Sequence, residues 1–309
     1  MKTILLTAIG GDIGQAIASV IRSARPDIQL IGVDMNLRHG GSFFVDKFFQ
    51  IPPANDPGYF ESIKKIASEY SVDALLPVSE VELDKFLEEK NWPNDIPIIS
   101  CGKTALEVGL SKYRTYEFLK SINIDVPWTI PVGDEKPKEF PCIMKSTDGS
   151  GSKSVYVVNN QVEADFYKLK SSNFIYQELL LPADQEVTCA VYRSKDGRVA
   201  VLQMLRQLVG GLTGWAEVIN DLRVDSMCRK LAKDLNLLGS LNVQLRITKE
   251  GPRIFEINPR FSSTVHMRHL LGFTDVIWTI SEFEGVRVEF PEVPIGQRVI
   301  KRQIPEIIK

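Results

Sequence analysis

The stretch "LNVQLRITKEGPRIFEINPR", residues 241–260, decides how the chain is read. Two segments that alternate apolar and polar residues flank Lys249-Glu250-Gly251, which suits a β-hairpin closed by a three-residue glycine-containing loop. With that loop Thr248 faces Pro252, and counting outward sets Gln244 opposite Glu256. Side chains alternate across a strand, so Glu256 and Asn258 share one face and Ile257 takes the other. Three oxygen-bearing side chains then meet on one patch. Such oxygens suit Mg²⁺, which takes a few protein oxygens together with phosphates and water. Arg260 follows on the same parity, where it is placed to neutralise a phosphoryl group. The same pattern also serves a solvent-facing edge with polar residues at alternate positions.

Outward from the hairpin, the composition is that of an ordinary globular chain. Its 309 residues are 44% hydrophobic and 25% charged, enough for two or three units around one or two cores. A net charge of −2 provides no basic field for nucleic acid or a membrane surface. Cys101, Cys142, Cys189 and Cys228 stand far apart without a CxxC pair, which predicts buried free thiols in a reducing compartment. The opening "MKTILLTAIGG" meets glycines and Asp12 too soon for a signal peptide and reads as a first strand. No apolar run reaches the length of a membrane span, so a cytoplasmic protein is expected.

Residues 1 to about 100 alternate short apolar runs with amphipathic segments: strands at 3–8, 28–34, 47–51 and 73–78, helices at 13–23, 59–70 and 79–90. Ser79 and Glu82 have capping-box spacing at the start of the last helix. This alternation predicts a parallel sheet covered by helices. Two short helices are expected at 103–109 and 111–122. From Pro141 the texture changes to closely spaced strands, which predicts an α+β part with antiparallel pairing, a helix near 222–236 and further helices after 262. Residues 209–218 read as loops that would contribute to specificity.

Gly10, Gly11 and Gly14 lie between the first strand and helix, and Asp34 ends the second strand about twenty residues on. That approaches a dinucleotide fingerprint, although the run is GGxxG and not GxGxxG. An NAD(P)-dependent oxidoreductase is therefore one alternative, and a tight structural turn is another.

Further elements lie upstream of the hairpin. "FPCIMKSTDGSGSKSVYVV", 140–158, sets Lys145 at a strand end before a serine- and glycine-rich loop whose backbone N–H groups could cradle phosphates. It is not a Walker A loop. "FIYQELLLPADQEV", 174–187, ends an apolar strand in Gln177-Glu178 and reaches Glu186 through a loop. Taken with Lys112 in "LSKYRTYEFLK", "GSLNVQ" and "FEINPRFS", this order of motifs resembles the ATP-grasp superfamily, in its carbamoyl-phosphate-synthetase-like branch. The likeness covers nearly the whole chain.

The resemblance implies a Rossmann-like pre-ATP-grasp domain at 1–105, a small α+β subdomain with the phosphate loop at 106–180, and a second α+β subdomain with the metal site at 181–309. It implies ATP and two Mg²⁺ (or Mn²⁺) ions. Lys112, Lys145 and the loop residues Ser150, Gly151 and Ser152 would hold ATP phosphates. Gln177, Glu178, Leu179 and Leu180 would line an adenine hinge, and Glu186 would hold the ribose. Gln244, Glu256 and Asn258 would bind metal, with Arg260 and Arg206 catalytic. The implied activity is a carboxylate–amine ligase working through an acyl phosphate, on small-molecule acids and amines. A homodimer is compatible with it; an idle nucleotide-binding sensor is a further alternative.

Two positions depart from the branch: Ser146 replaces a common proline, and "LPADQE" lacks the glycine usual before the ribose acid. At 309 residues the chain is not expected to carry out alone full carbamoyl-phosphate synthesis from glutamine, which would need a doubled arrangement and a glutaminase portion. Ser79 and Glu80, at the end of the fourth strand, are candidate substrate contacts, or simply a helix cap. His266 and His269 share a helix face without an evident third ligand, and are expected to be structural.

Overall fold

The computed structural model describes residues 1–93, 95–133, 135–149, 154–169 and 173–302. The first part alternates as expected: β1 (Thr3–Leu6), α1 (Asp12–Ala24), β2 (Gln29–Asp34), β3 (Lys47–Gln50), α2 (Tyr59–Glu69), β4 (Ala74–Leu76) and α3 (Glu80–Glu88). Its four strands form a parallel sheet in the order β3-β2-β1-β4. β1 and β4 are buried along their whole length, which is why they read as unbroken apolar runs. The expected capping box is present: Ser79 Oγ accepts from the Glu82 N–H, and the Glu82 carboxylate accepts from the Ser79 N–H.

Next come α4 (Lys103–Gly109), α5 (Lys112–Ser121), β5 (Thr129–Pro131), β6 (Cys142–Ser146), β7 (Val155–Val158), α6 (Gln161–Lys168) and β8 (Phe174–Glu178). Here the strands form an antiparallel sheet ordered β5-β8-β6-β7. The remainder is β9 (Glu186–Arg193), β10 (Val199–Val209), β11 (Leu212–Ile219), α7 (Leu222–Asp234), β12 (Gly239–Ile247), β13 (Pro252–Asn258), α8 (Val265–Leu270), α9 (Asp275–Phe283) and β14 (Arg298–Ile300). Its six strands run antiparallel in the order β13-β12-β9-β10-β11-β14. The result is the mixed α/β and α+β architecture that the sequence implied. Among the described residues no helix is long and apolar enough to cross a membrane, and all four cysteines are free and buried.

Two expectations are corrected. Residues 209–218 are not a loop: Gly210 and Gly211 make a two-residue turn, both at positive φ (59° and 81°), and β11 begins at Leu212. Two consecutive left-handed positions match the strand twist, and glycine takes them without steric cost. The second correction is the register of the β12–β13 hairpin. Thr248 faces Gly251 through paired backbone hydrogen bonds, which leaves a loop of Lys249 and Glu250 alone, and Ile247 pairs with Pro252. A β-bulge between Gln244 and Leu245 on one strand, with Phe255 as the extra residue on the other, offsets the difference. Gln244 therefore does stand opposite Glu256.

The cores interlock. Leu83, Cys101, Ala105 and Leu119 pack into the same buried cluster as Val187, Val243, Ile254 and Ile257. Phe261, Val265, Val276 and Ile280 pack with β1 and α1. Beneath the latter contact lies a fully buried ion pair: Arg268 donates to both oxygens of Asp275 at 2.9 and 2.5 Å, and also to Ser262 Oγ at 3.3 Å. Removing one partner leaves a buried charge uncompensated, so Arg268→Met or Asp275→Ala is expected to cost about 3–5 kcal/mol in urea unfolding. A loss under about 1 kcal/mol, the range of exposed pairs, would refute that role.

Candidate functional site

Where the three sheets meet lies a cavity of about 840 Å³. The β12–β13 hairpin forms its floor. Because of the bulge, Ile254 and Ile257 both enter the core although they are three residues apart, while Phe255, Glu256 and Asn258 line the cavity. Asn242, Gln244 and Arg246 line it from β12, as their alternation requires. Lys112 and Lys145 come from α5 and β6, Gln177, Glu178 and Leu180 from the end of β8, Glu186 from β9 and Arg206 from β10. Arg260 follows β13, and Ser79 and Glu80 reach in from the parallel sheet. Leu179 is half-buried and does not line the cavity. Ser150, Gly151 and Ser152 lie outside the described residues.

The charges form a connected set. Glu186 stands between two arginines on flanking strands: Arg206 donates to its Oε1 at 2.6 and 3.0 Å, and Arg246 to its Oε2 at 2.5 Å. Arg206 also donates to Gln244 Oε1 at 3.0 Å, and Arg246 to the Leu180 carbonyl at 2.7 Å. Arg260 pairs with Glu80 at 2.7 Å and donates more weakly to Asn258 Oδ1 at 3.4 Å. Ser79 spends its hydroxyl on the helix cap, so of the two candidate substrate contacts Glu80 is the one tied to another candidate site residue. Gln177 is buried, and its amide donates to Thr129 Oγ1 at 3.0 Å. Glu178 accepts from Arg253 at 2.6 Å and from the Trp128 N–H at 3.2 Å. Lys112 donates to the Gly149 carbonyl at 2.6 Å, at the edge of the serine- and glycine-rich loop.

Glu256 differs from these acids. Among the described residues its half-buried carboxylate takes no hydrogen bond or ion pair, although it lines the cavity between Gln244 and Asn258. Asn258 is buried and its Nδ2 has no partner. Among the described residues no group of three or more His, Cys, Asp or Glu could hold a metal ion. A metal here must therefore rely on one carboxylate, amide oxygens and ligands brought by substrate, which is the habit of Mg²⁺. His266 is exposed and His269 half-buried.

Arg246, Asn242 and Phe255 were missed from sequence. Asn242 is the strand partner of Asn258, and Arg246 lies two residues from Gln244, the partner of Glu256, in the same alternation, so the signal was present. Phe255 could not be found by parity, because only the bulge turns it to the cavity.

At the glycine turn a Cβ on Gly10 would meet Asp34 Oδ2 at 2.9 Å and His39 Cδ2 at 2.7 Å, so only glycine fits there beside those side chains.

With this geometry in view, the likeness to known proteins is specific. An ATP-grasp domain matches residues 110–264, and a PylC-like N-terminal domain matches residues 4–99. The chain belongs to the ATP-grasp family. Among relatives, carbamoyl-phosphate synthase of Methanobrevibacter smithii is 22% identical over 243 residues, covering 72% of this chain and 65% of that one. The 3-methyl-D-ornithine–L-lysine ligase of Methanosarcina acetivorans is 24% identical over 284 residues, covering 85% and 68%. The ADP complex of an N5-carboxyaminoimidazole ribonucleotide synthetase superposes with a TM-score of 0.77 over 96% of this chain and 80% of that one, at 18% identity. That last likeness establishes the ATP-grasp fold. The chain thus spans 65% of the length of the first relative named.

Lys145 is the buried cation of this ATP-grasp cavity. Burial pushes its ammonium down to about 8; Glu256 and Glu186 oppose that, and Lys112 adds to it. Unfolded, the same lysine titrates near 10.5. Between those values the unfolded chain holds the extra proton, so this group's contribution to stability grows as pH rises across the window. NMR of ¹³Cε-labelled lysine is expected to show one resonance with a midpoint near 8, absent from Lys145→Met. Titration of every lysine in the ordinary range would refute the buried placement.

Proposed function

We propose that the protein is an ATP- and Mg²⁺-dependent carboxylate–amine ligase. The observation that carries this is the unpartnered Glu256 carboxylate, lying between two amide side chains in a cavity lined by five cations, Lys112, Lys145, Arg206, Arg246 and Arg260. A triphosphate needs cationic walls, and a divalent ion needs a carboxylate that no protein donor has taken. The donor set fits the ion. Gln244, Glu256 and Asn258 would hold it, two ions being the proposed number, with Mn²⁺ as a substitute. Magnesium, when bound, neutralises phosphate charge and aligns the transferring group.

Residues 1–105 would carry substrate contacts, 106–180 would cover the phosphates, and 181–309 would hold metal and nucleotide. Lys112 and Lys145 would bind ATP phosphates, aided by Ser150, Gly151 and Ser152. The chain around Gln177, Glu178, Leu179 and Leu180 would line the adenine, with Glu186 at the ribose. A carboxylate oxygen of the substrate would bond to the γ-phosphorus as the bond to the ADP oxygen breaks. An amine would then bond to the acyl carbon, phosphate would leave with the carbon–oxygen bond electrons, and the nitrogen would lose a proton. Arg260 and Arg206 would stabilise the phosphoryl group in transit, and Glu80, now paired with Arg260, would contact substrate.

The relatives named above include a ligase joining two amino acids, which supports acid and amine substrates of that size. The test is calorimetry of ATP with Mg²⁺, together with ADP release across pools of amino acids and small carboxylates. Substrate-stimulated ADP release is expected, falling by about 10²–10³-fold in Glu256→Ala. Tight NAD(H) binding without ATP binding would overturn the reading. ATP binding without turnover in any pool would favour the idle sensor.

A further inference from the structure

A second cavity of about 860 Å³ opens at the ends of the parallel strands, where β1, β2, β3 and β4 stop. It shares Ala8, Gly11, Ser79 and Val81 as walls with the first cavity, so the two are continuous. Open parallel sheets bind ligands at this end. None of the residues that the ATP-grasp resemblance assigns to nucleotide or metal lines it.

Its polar groups are unevenly committed. Two buried acids border it, and both are spent on protein donors. Asp34 accepts from the N–H of Gly10 at 2.8 Å and of Asn36 at 2.9 Å. Glu82 accepts from Tyr59 Oη at 2.8 Å, Thr7 Oγ1 at 2.6 Å and the Ser79 N–H at 3.1 Å. Among the described residues the exposed amides of Asn36 and Asn55 are uncommitted, and two further uncommitted groups are donors only. His39 Nδ1 accepts from the Gly41 N–H at 3.0 Å, so the neutral ring carries its proton on Nε2. That Nε2 is buried and has no partner. Beside it in sequence Arg38 lines the cavity, and among the described residues its guanidinium makes no hydrogen bond or ion pair. A buried N–H without an acceptor is costly, and an unpaired guanidinium fits a planar carboxylate or a phosphate.

We infer that this second cavity is an anion subsite, in which Arg38 and the His39 Nε2–H hold a carboxylate or phosphate group at the end of the substrate remote from the reacting atoms. Assigning this anion to a substrate rests on the proposed ligase function; the subsite itself does not. The subsite would select acids bearing a second anionic group, and Ser79 and Gly11 would form the passage between the two cavities.

The full-length protein, saturated with ADP and Mg²⁺, is titrated separately with inorganic phosphate, succinate and ethylammonium. Binding is followed by calorimetry and by the Nε2–H signal of ¹⁵N-labelled His39. Saturable binding of phosphate or succinate is expected, shifting the His39 signal and weakening at least about tenfold in Arg38→Ala, with ADP affinity unchanged. Arg38 is exposed, so its variant keeps the fold. Phosphate binding alone would indicate a phosphorylated acid, and succinate binding alone a dicarboxylate; each supports the subsite. No anion binding, anion binding indifferent to Arg38, or ethylammonium binding in its place would overturn it. Anion binding that depends on Arg38 in a protein that fails to bind ADP would leave the subsite standing and sink the ligase reading instead.

Discussion

One extra residue in β13 sets the geometry of the cavity floor. Without the bulge at Phe255, strict alternation would send Ile254 and Glu256 to the same face, and either the core or the cavity would lose its residue. With it, Ile254 and Ile257 both join the buried cluster, and Glu256 and Asn258 both reach the cavity. The bulge also brings the Phe255 carbonyl to Lys145, 3.4 Å from its Nζ, and sets the Phe255 ring 5.5 Å from the same nitrogen. A buried ammonium is thereby given an acceptor and an aromatic face in the place of water.

The fold was largely legible because its strands are buried on both faces or alternate cleanly, and its helices carry caps. The α3 capping box and the order of motifs around the hairpin were readable from residue types alone. What escaped was set by backbone conformation rather than residue type. The two-residue turns at Gly210-Gly211 and Lys249-Glu250 shift the register, and no periodicity count detects that. Gln244 was placed opposite Glu256 through two departures that cancel, a shorter loop and an added bulge residue. Arg246 was overlooked for a different reason. Its parity was visible, but a strand arginine gains meaning only when Glu186 is known to lie on the adjoining strand β9 and Arg206 on β10 beyond it.

The ion pairs that line the cavity belong to the same physical problem. Arg206, Arg246 and Arg260 face a space where unopposed guanidinium groups would repel one another, and Glu186 and Glu80 offset that charge in the ligand-free protein. Lys145 is held by no carboxylate, and burial already favours its neutral form. In the proposed function, a polyphosphate would compete with Glu186 and Glu80 for the arginines and strengthen the hold of Lys145 on its proton. The carboxylates would then act as placeholders, keeping the guanidiniums oriented until phosphate oxygens replace them. Glu256 has no such duty, since among the described residues no cation pairs with it, and its charge is left for an ion that the protein does not itself supply. The acids of one cavity thus divide by what the neighbouring strands place beside them: those flanked by arginine hold the walls in position, and the one flanked by amides is kept open.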